Sequence, residues 1–165
     1  MGINEPGAGD APHWRGGLYF EDFVVGSHHR HRLTRTVTQM DNILFSNMTM
    51  NPQPLHVDAH FCATETEWGQ PLMNSLFTLG LMIGISVNDL TVGTTIANLG
   101  MTETKFPNPL FEGDTINVTT EIVAKRESKS RPGAGIVEFH HKAFKQDGKL
   151  VAECRRQAFM RMRPQ

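Results

Sequence analysis

Eight histidines stand in a chain of 165 residues. Histidine is the side chain whose ordinary titration falls between about pH 5 and 8, so their spacing is the first place to look for acid–base or metal chemistry. His28-His29-x-His31 alternates along an extended run, which puts His29 and His31 on one face as a possible metal pair. No acid or cysteine is spaced to complete a ligand set, and no metal site is expected. His140 and His141 are neighbours on another extended run and face opposite ways, and His60 falls on a helix. Cys62 and Cys154 are isolated from each other, so neither a CxxC pair nor a disulfide framework is implied, and a reduced, cytoplasmic setting is expected. There remains His56, in Asn51-Pro-Gln-Pro54-Leu55-His56-x-Asp58. A histidine on a proline-bounded loop ahead of an apolar helical run is suited to taking up and returning a proton. Taken singly, it is more readily a structural or merely exposed residue.

The elements around His56 must position it. Leu18 to Val37 mixes β-branched and aromatic residues with His and Arg, and reads as an entry segment followed by a strand over about Ser27–Val37. Thr38-x-x-Asp41 has the form of a helix start, in which hydroxyl and carboxylate satisfy the first free amides. Ile43, Leu44 and Phe45 give that helix an apolar side, and it should stop near Asn47 because Pro52 and Pro54 follow. His56 is therefore expected on a loop. Asp58 is expected to cap a second short helix, Ala59 to Trp68, that Gly69-Gln-Pro71 ends. From Asn74 to Asp89 apolar residues fall on every side of a helix, with Gly80, Gly84 and Ser86 among them. That predicts a helix buried in the middle of the fold, its glycines admitting another backbone. Its apolar core is shorter than the ~20 residues a membrane span needs.

Beyond Leu90 the period changes. Thr94 to Phe106, Asp114 to Lys125, Gly135 to Lys145 and Lys149 to Met162 read as strands, separated by turn chemistry at Pro107-Asn-Pro109, Ser130-Arg-Pro-Gly133 and Asp147-Gly148. In the last run Leu150, Ala152, Cys154, Ala158, Met160 and Met162 are expected to face the core, interrupted by Arg156. One buried helix with five antiparallel strands predicts an α+β class fold, a single hotdog domain in which a curved antiparallel sheet wraps around the long helix. Residues 1–17 are expected to form a partly ordered N-terminal arm and 18–165 the domain. The arm has no apolar h-region, so neither a signal peptide nor a membrane anchor is expected. Sixteen Lys and Arg against 17 Asp and Glu give a net charge of −1. That balance argues against nucleic acid and against a polybasic membrane surface. Small molecules and a second copy of the chain, as a homodimer joined at unpaired edges or helix faces, are the expected partners.

The order and spacing of Thr38-x-x-Asp41, Phe45, the loop from Asn51 to Asp58, the helix entry from Pro71 to Leu81, and Phe106-x-x-Pro109-Leu110-Phe111-x-Gly113-Asp114 resemble the MaoC-like (R-type) enoyl-CoA hydratases and dehydratases. The resemblance covers roughly Leu18 to Met162. Asn74-Ser-Leu-Phe-Thr-Leu-Gly80, Arg126-Glu-Ser-Lys-Ser-Arg-Pro132 and Gln146-Asp-Gly148 are similar to the branch acting on branched C5 dicarboxylyl-CoA thioesters of the mesaconyl-CoA or itaconyl-CoA type. What the resemblance implies is an acyl-CoA substrate, with CoA part of the substrate and no separate cofactor.

Adding water to a double bond conjugated with a thioester needs a base for the water, a proton for the α-carbon, and donors for the charge developing on the thioester oxygen. The resemblance assigns the first two to His56. The family's pattern has Gly-Asp where this chain has Met50-Asn51, and an asparagine takes no proton although it can hold a water. Three readings follow: His56 alone as acid–base with Asn51 orienting water, a different carboxylate as substitute, or acyl-CoA binding without turnover. Asp58 and Asp41 read better as helix caps than as substitutes. The Ser75 backbone N–H, with that of Leu76, is the candidate oxyanion site at the start of the long helix. Lys125, Arg126, Lys129 and Arg131 could contact CoA phosphates or a substrate carboxylate, or form a solvated hairpin. A thioesterase on the same scaffold is the alternative enzyme. It would call for an acid on the long helix, where only Asp89, at the far end, is available.

Overall fold

The computed structural model describes residues 12–164. The first eleven residues of the expected arm lie outside them. His13 to Gly17 form a turn, His13 N–H donating to the Gly17 carbonyl at 3.0 Å. Leu18 N–H then donates to the Leu90 carbonyl at 2.8 Å. A single 3-10 turn, Phe20–Asp22, follows.

Four α-helices are present among the described residues. α1 (Gln39–Met48) starts where its capping residues predict: Thr38 Oγ1 accepts from Asp41 N–H at 3.3 Å, and Asp41 Oδ2 accepts from Thr38 N–H at 2.9 Å. α2 (Pro54–Val57) corrects one expectation, because His56 lies on a short helical turn and not on a loop. Pro54 takes the first helical position, where a missing N–H costs nothing. α3 (Ala59–Glu65) is capped by Asp58, which accepts from Phe61 N–H at 2.9 Å. It ends short of Trp68 because Thr66 turns extended, its hydroxyl donating to the Cys62 carbonyl at 2.7 Å. α4 (Ser75–Leu90) is the long helix.

The six strands are β1 (His28–Arg30), β2 (Arg35–Thr36), β3 (Thr95–Lys105), β4 (Thr115–Glu127), β5 (Ala134–Lys145) and β6 (Leu150–Arg161). They form one antiparallel sheet in the order β1-β4-β5-β6-β3, with β2 also on β4. The strand expected over Ser27–Val37 is thus two short pieces, with residues 31–34 outside the ladder. β3 is an edge strand, irregular in register and exposed over most of its length. The hotdog arrangement holds, with the sheet curled around α4. Met82, Ile85 and Leu90 bury the helix against Ile116, Val118, Ala152 and Cys154 of the sheet and against Phe20 and Phe23. Each buried Met, Ile, Leu, Val or Phe among them contributes about 1.5–3 kcal/mol.

One face of α4 departs from the expected all-round burial. Leu76 is 59% exposed, and Gly80, Gly84 and Asn88 continue the same stripe in the open. Within 4 Å of where a Cβ would stand on Gly80 or Gly84 there is no atom. The two glycines therefore admit no other backbone of this chain. α1 is also turned against its composition: the residues it buries are Asn42 and Ser46, whereas Met40, Leu44 and Met48 face out.

A line of buried polar side chains crosses the concave face of the sheet and separates two apolar clusters. Arg156 Nε donates to His141 Nε2 at 3.1 Å. A guanidinium cannot accept, so His141 Nε2 is bare and its Nδ1 carries the proton, donated to Thr120 Oγ1 at 2.8 Å. The Thr120 hydroxyl donates in turn to His31 Nε2 at 2.7 Å, and His31 Nδ1–H donates to Asp89 Oδ2 at 3.2 Å. Both histidines are neutral in this chain, which leads from a buried cation to a carboxylate. Arg156 also lies over the Phe139 ring, 4.9 Å from its centroid.

Burial holds His31 below its ordinary value of 6.5, with Asp89 offsetting part of the effect. Burial and then the neighbouring Arg156 push His141 well below 6.5. Burial also pushes the Cys154 thiol up to about 11, so it is a protonated core side chain. In the unfolded chain the two histidines regain ordinary values and take up protons first as pH falls. Stability should therefore be level above about pH 6.5 and decline below it, down to the depressed native values. Guanidinium unfolding between pH 8 and 5 tests this; a stability unchanged from pH 7 to 5 would contradict it. The aspartates held below their ordinary 3.8, Asp41, Asp89, Asp114 and Asp147, act only in a lower window.

Candidate active site

His56 is half-buried on α2, with its backbone held from two sides. Its N–H donates to the Gln53 carbonyl at 3.0 Å, and its carbonyl accepts from Gln39 Nε2 at 2.9 Å and Asn42 Nδ2 at 2.7 Å. The imidazole Nδ1 lies 2.7 Å from the Leu72 carbonyl oxygen. A carbonyl only accepts, so Nδ1 carries the proton and Nε2 presents a lone pair. That is the tautomer a general base requires, and the same nitrogen can later return the proton.

Leu72 belongs to the extended segment that leads into α4. It bridges to Phe111, and its N–H donates to the Leu55 carbonyl at 3.0 Å. Asn74 caps α4, its Oδ1 accepting from Leu76 N–H at 3.0 Å. This corrects one expectation: the Leu76 amide is taken by the cap and is not free for a ligand. The Ser75 N–H has no partner among the described residues, and it points out at the start of a 16-residue helix, where the dipole favours negative charge. Ser75 also lines a cleft of about 160 Å³, together with Leu72, Thr78, Trp68, Phe106 and Val151. The cleft is largely apolar and lies beside the segment that orients His56, a setting suited to the acyl part of a thioester.

Asn51 is half-buried, and its Oδ1 accepts from Gln53 N–H at 3.1 Å. Its Nδ2 is left to donate. Met50, immediately before it, has φ 55°, a left-handed conformation that suits glycine and costs about 1 kcal/mol in methionine. Asp58 and Asp41 are caps, as expected. Asp89 accepts from His31 and from the backbone and guanidinium of Arg32 at the other end of α4.

The basic turn is not brought to the cleft within one chain. Lys125 stands at the opposite end of β4 from Thr115, on the order of 30 Å away at ~3.3 Å per residue. Its Nζ donates to the Glu21 carbonyl at 3.0 Å and lies over the Phe20 ring at 5.1 Å, a structural role. Phe20 in turn packs where a Cβ on Gly135 would come within 2.1 Å of it. Arg126, Lys129 and Arg131 are exposed at that turn. Sequence reasoning missed Asn42 and the Leu72 carbonyl. The signal available for Asn42 was a polar residue at an inward position of α1.

Replacing Asn74 with Ala should remove the α4 cap and lower unfolding stability by about 1 kcal/mol. Thermal or guanidinium unfolding checks it, and a change under about 0.3 kcal/mol would show that the cap carries no weight.

The chain is similar to known proteins in both sequence and fold. A sequence model described as "MaoC like domain" matches residues 22–143. The chain is 28% identical over 147 residues to a beta-methylmalyl-CoA dehydratase of Chloroflexus aurantiacus, covering 89% of this chain and 41% of that one. It is 26% identical over 153 residues to a mesaconyl-CoA hydratase of Cereibacter sphaeroides, covering 89% and 42%. The chain thus spans about two-fifths of the length of these curated relatives. In fold it matches a Mycobacterium tuberculosis protein described as a double hotdog, with a TM-score of 0.81 at 24% identity, covering 90% of this chain and 46% of that one.

Proposed function

The chain belongs to the MaoC-like family of hydratases and dehydratases, and from that premise we propose that it adds water reversibly to a 2-enoyl-CoA thioester, with His56 as the acid–base. The observation that carries this reading is the His56 Nδ1 to Leu72 carbonyl hydrogen bond at 2.7 Å, which ties the ring to the segment leading into α4 and leaves Nε2 bare. In the hydration direction Nε2 takes a proton from water as the hydroxyl oxygen bonds to the β-carbon. The electron pair moves onto the thioester oxygen, where the Ser75 N–H and the α4 dipole meet the developing charge. The imidazolium then gives the same proton to the α-carbon, so one group serves both steps of a syn addition. Its transient charge is stabilised through the Nδ1–H donated to Leu72. Asn51, with no proton to exchange, orients the water through its free Nδ2.

The branched C5 dicarboxylyl-CoA class is the substrate this reading favours. Its support is the likeness to relatives named for beta-methylmalyl-CoA and mesaconyl-CoA, together with the motifs shared with that branch. The open Leu76-Gly80-Gly84-Asn88 face of α4 and the exposed β3 edge support a homodimer, and one solved structure of the same fold is described as a double hotdog within one chain. A CoA-phosphate or carboxylate contact by Arg126, Lys129 and Arg131 belongs to this proposal only as a contribution from the second copy.

Incubation with mesaconyl-CoA, itaconyl-CoA and crotonyl-CoA should show loss of enoyl absorbance without thiol release. Thiol release without hydration would instead establish the thioesterase alternative. His56→Ala should abolish hydration while leaving the fold intact. Ser75→Pro gives a sharper test, because Pro is at home at the first helical position and Asn74, at φ −58° and ψ 125°, already has the backbone a following proline requires. It removes the unpartnered amide together with the Ser75 hydroxyl, whose own effect Ser75→Ala measures separately, and kcat should fall by about 10²–10³-fold relative to Ser75→Ala. Full activity in this variant would remove Ser75 from the mechanism.

A further inference from the structure

We propose that Asn42 is a positioning residue for the reaction, setting the imidazole of His56 and the first turn of α4 in one clasp; this rests on the reading of His56 as acid–base. Asn42 is fully buried, with 0% exposure, on a helix that turns Met40 (61%) and Met48 (76%) outward. A helix that buries an amide and exposes its methionines forgoes apolar burial, and such local breaches of patterning are expected where a site needs them. All of the amide's main valences are used. One Nδ2 hydrogen goes to the His56 carbonyl at 2.7 Å and the other to the Leu72 carbonyl at 3.1 Å. Oδ1 accepts from Asn74 N–H at 2.9 Å.

Each partner bears on a reacting group. The Leu72 carbonyl is the acceptor that puts the His56 proton on Nδ1 and so bares Nε2. The His56 carbonyl fixes the backbone from which the ring is hung. Asn74 is the cap immediately ahead of the Ser75 amide. One side chain therefore sets the distance between the base and the oxyanion donor, although it lies on a third element. The amide is needed in full: a carboxylate here would keep the bond to Asn74 but set its other oxygen against two carbonyls, and an apolar residue would strip the Asn74 N–H of its acceptor and each carbonyl of one of its two donors.

The test is the tautomer of His56, read by long-range ¹H–¹⁵N correlation on ¹⁵N-labelled protein with the resonance assigned through His56→Ala. Wild-type His56 should be held in the Nδ1–H form. Asn42→Ala and Asn42→Asp should each lose that single tautomer, with kcat falling about 10–100-fold and KM changing less than about threefold. A wild-type His56 in the Nε2–H form overturns the proposal whether or not the variants fold. So does a folded variant that keeps both the Nδ1–H tautomer and full kcat. If the variants shift the tautomer while the wild type hydrates none of the enoyl-CoA substrates, the positioning role stands and the hydration reading falls.

Discussion

The Leu72 carbonyl is the point at which fold and chemistry meet. Its segment is held by a bridge to Phe111 on one side and by the Leu55 backbone on the other, so the oxygen is placed by the sheet-to-helix framework before any side chain is considered. It then accepts from both His56 and Asn42. A neutral imidazole has one proton to place between two nitrogens, and the acceptor it meets decides which nitrogen is left reactive. Backbone geometry thus determines the chemical state of a side chain sixteen residues earlier in the chain. The same segment runs directly into the capped start of α4, so moving one group means moving the other.

The two ends of α4 answer different demands. At its start, Asn74 takes the Leu76 amide and leaves that of Ser75 without a partner among the described residues. At its end, Asp89 is tied to His31 and Arg32 and closes the line of buried polar groups running back to Arg156. A buried guanidinium with no carboxylate beside it is costly, since taking such a charge out of water carries a penalty of several kcal/mol. Three neutral groups between Arg156 and Asp89 carry part of the compensation by polarisation. The apolar clusters on either side keep that line dry.

Much of this was legible in the sequence because the signals were local. Thr38 with Asp41, and Asp58 ahead of Ala59, are capping residues whose partners lie within one turn, and both helices start where they say. The alternation of Ile116, Val118 and Ile122 marks the inward face of β4. His56 was legible through its flanking prolines, although Pro54 opens a helical turn where a loop was expected. What escaped depends on residues distant in sequence. Leu76 lost its amide to Asn74, whose rotamer no pattern discloses. Lys125, by sequence either a ligand contact or part of a solvated hairpin, instead anchors the Phe20 turn, a pairing across more than a hundred residues. Ile43, Leu44 and Phe45 mark an apolar side of α1, whereas tertiary bonds to His56, Leu72 and Asn74 turn Asn42 inward.

The buried line from Arg156 to Asp89 also carries information about strand alignment. Its donors and acceptors run one way only, because a guanidinium at one end cannot accept and a carboxylate at the other cannot donate. Side chains alternate between the faces of a strand, so sliding β5 by one residue would put His140 or Lys142 in the place of His141 and turn His141 to the outside. Apolar residues on both sides would tolerate some slippage of oil against oil, but a directed row of hydrogen bonds would not. The row therefore acts as a key that admits a single register among β4, β5 and β6, and the shape of the cleft at the far end of those strands is inherited from it.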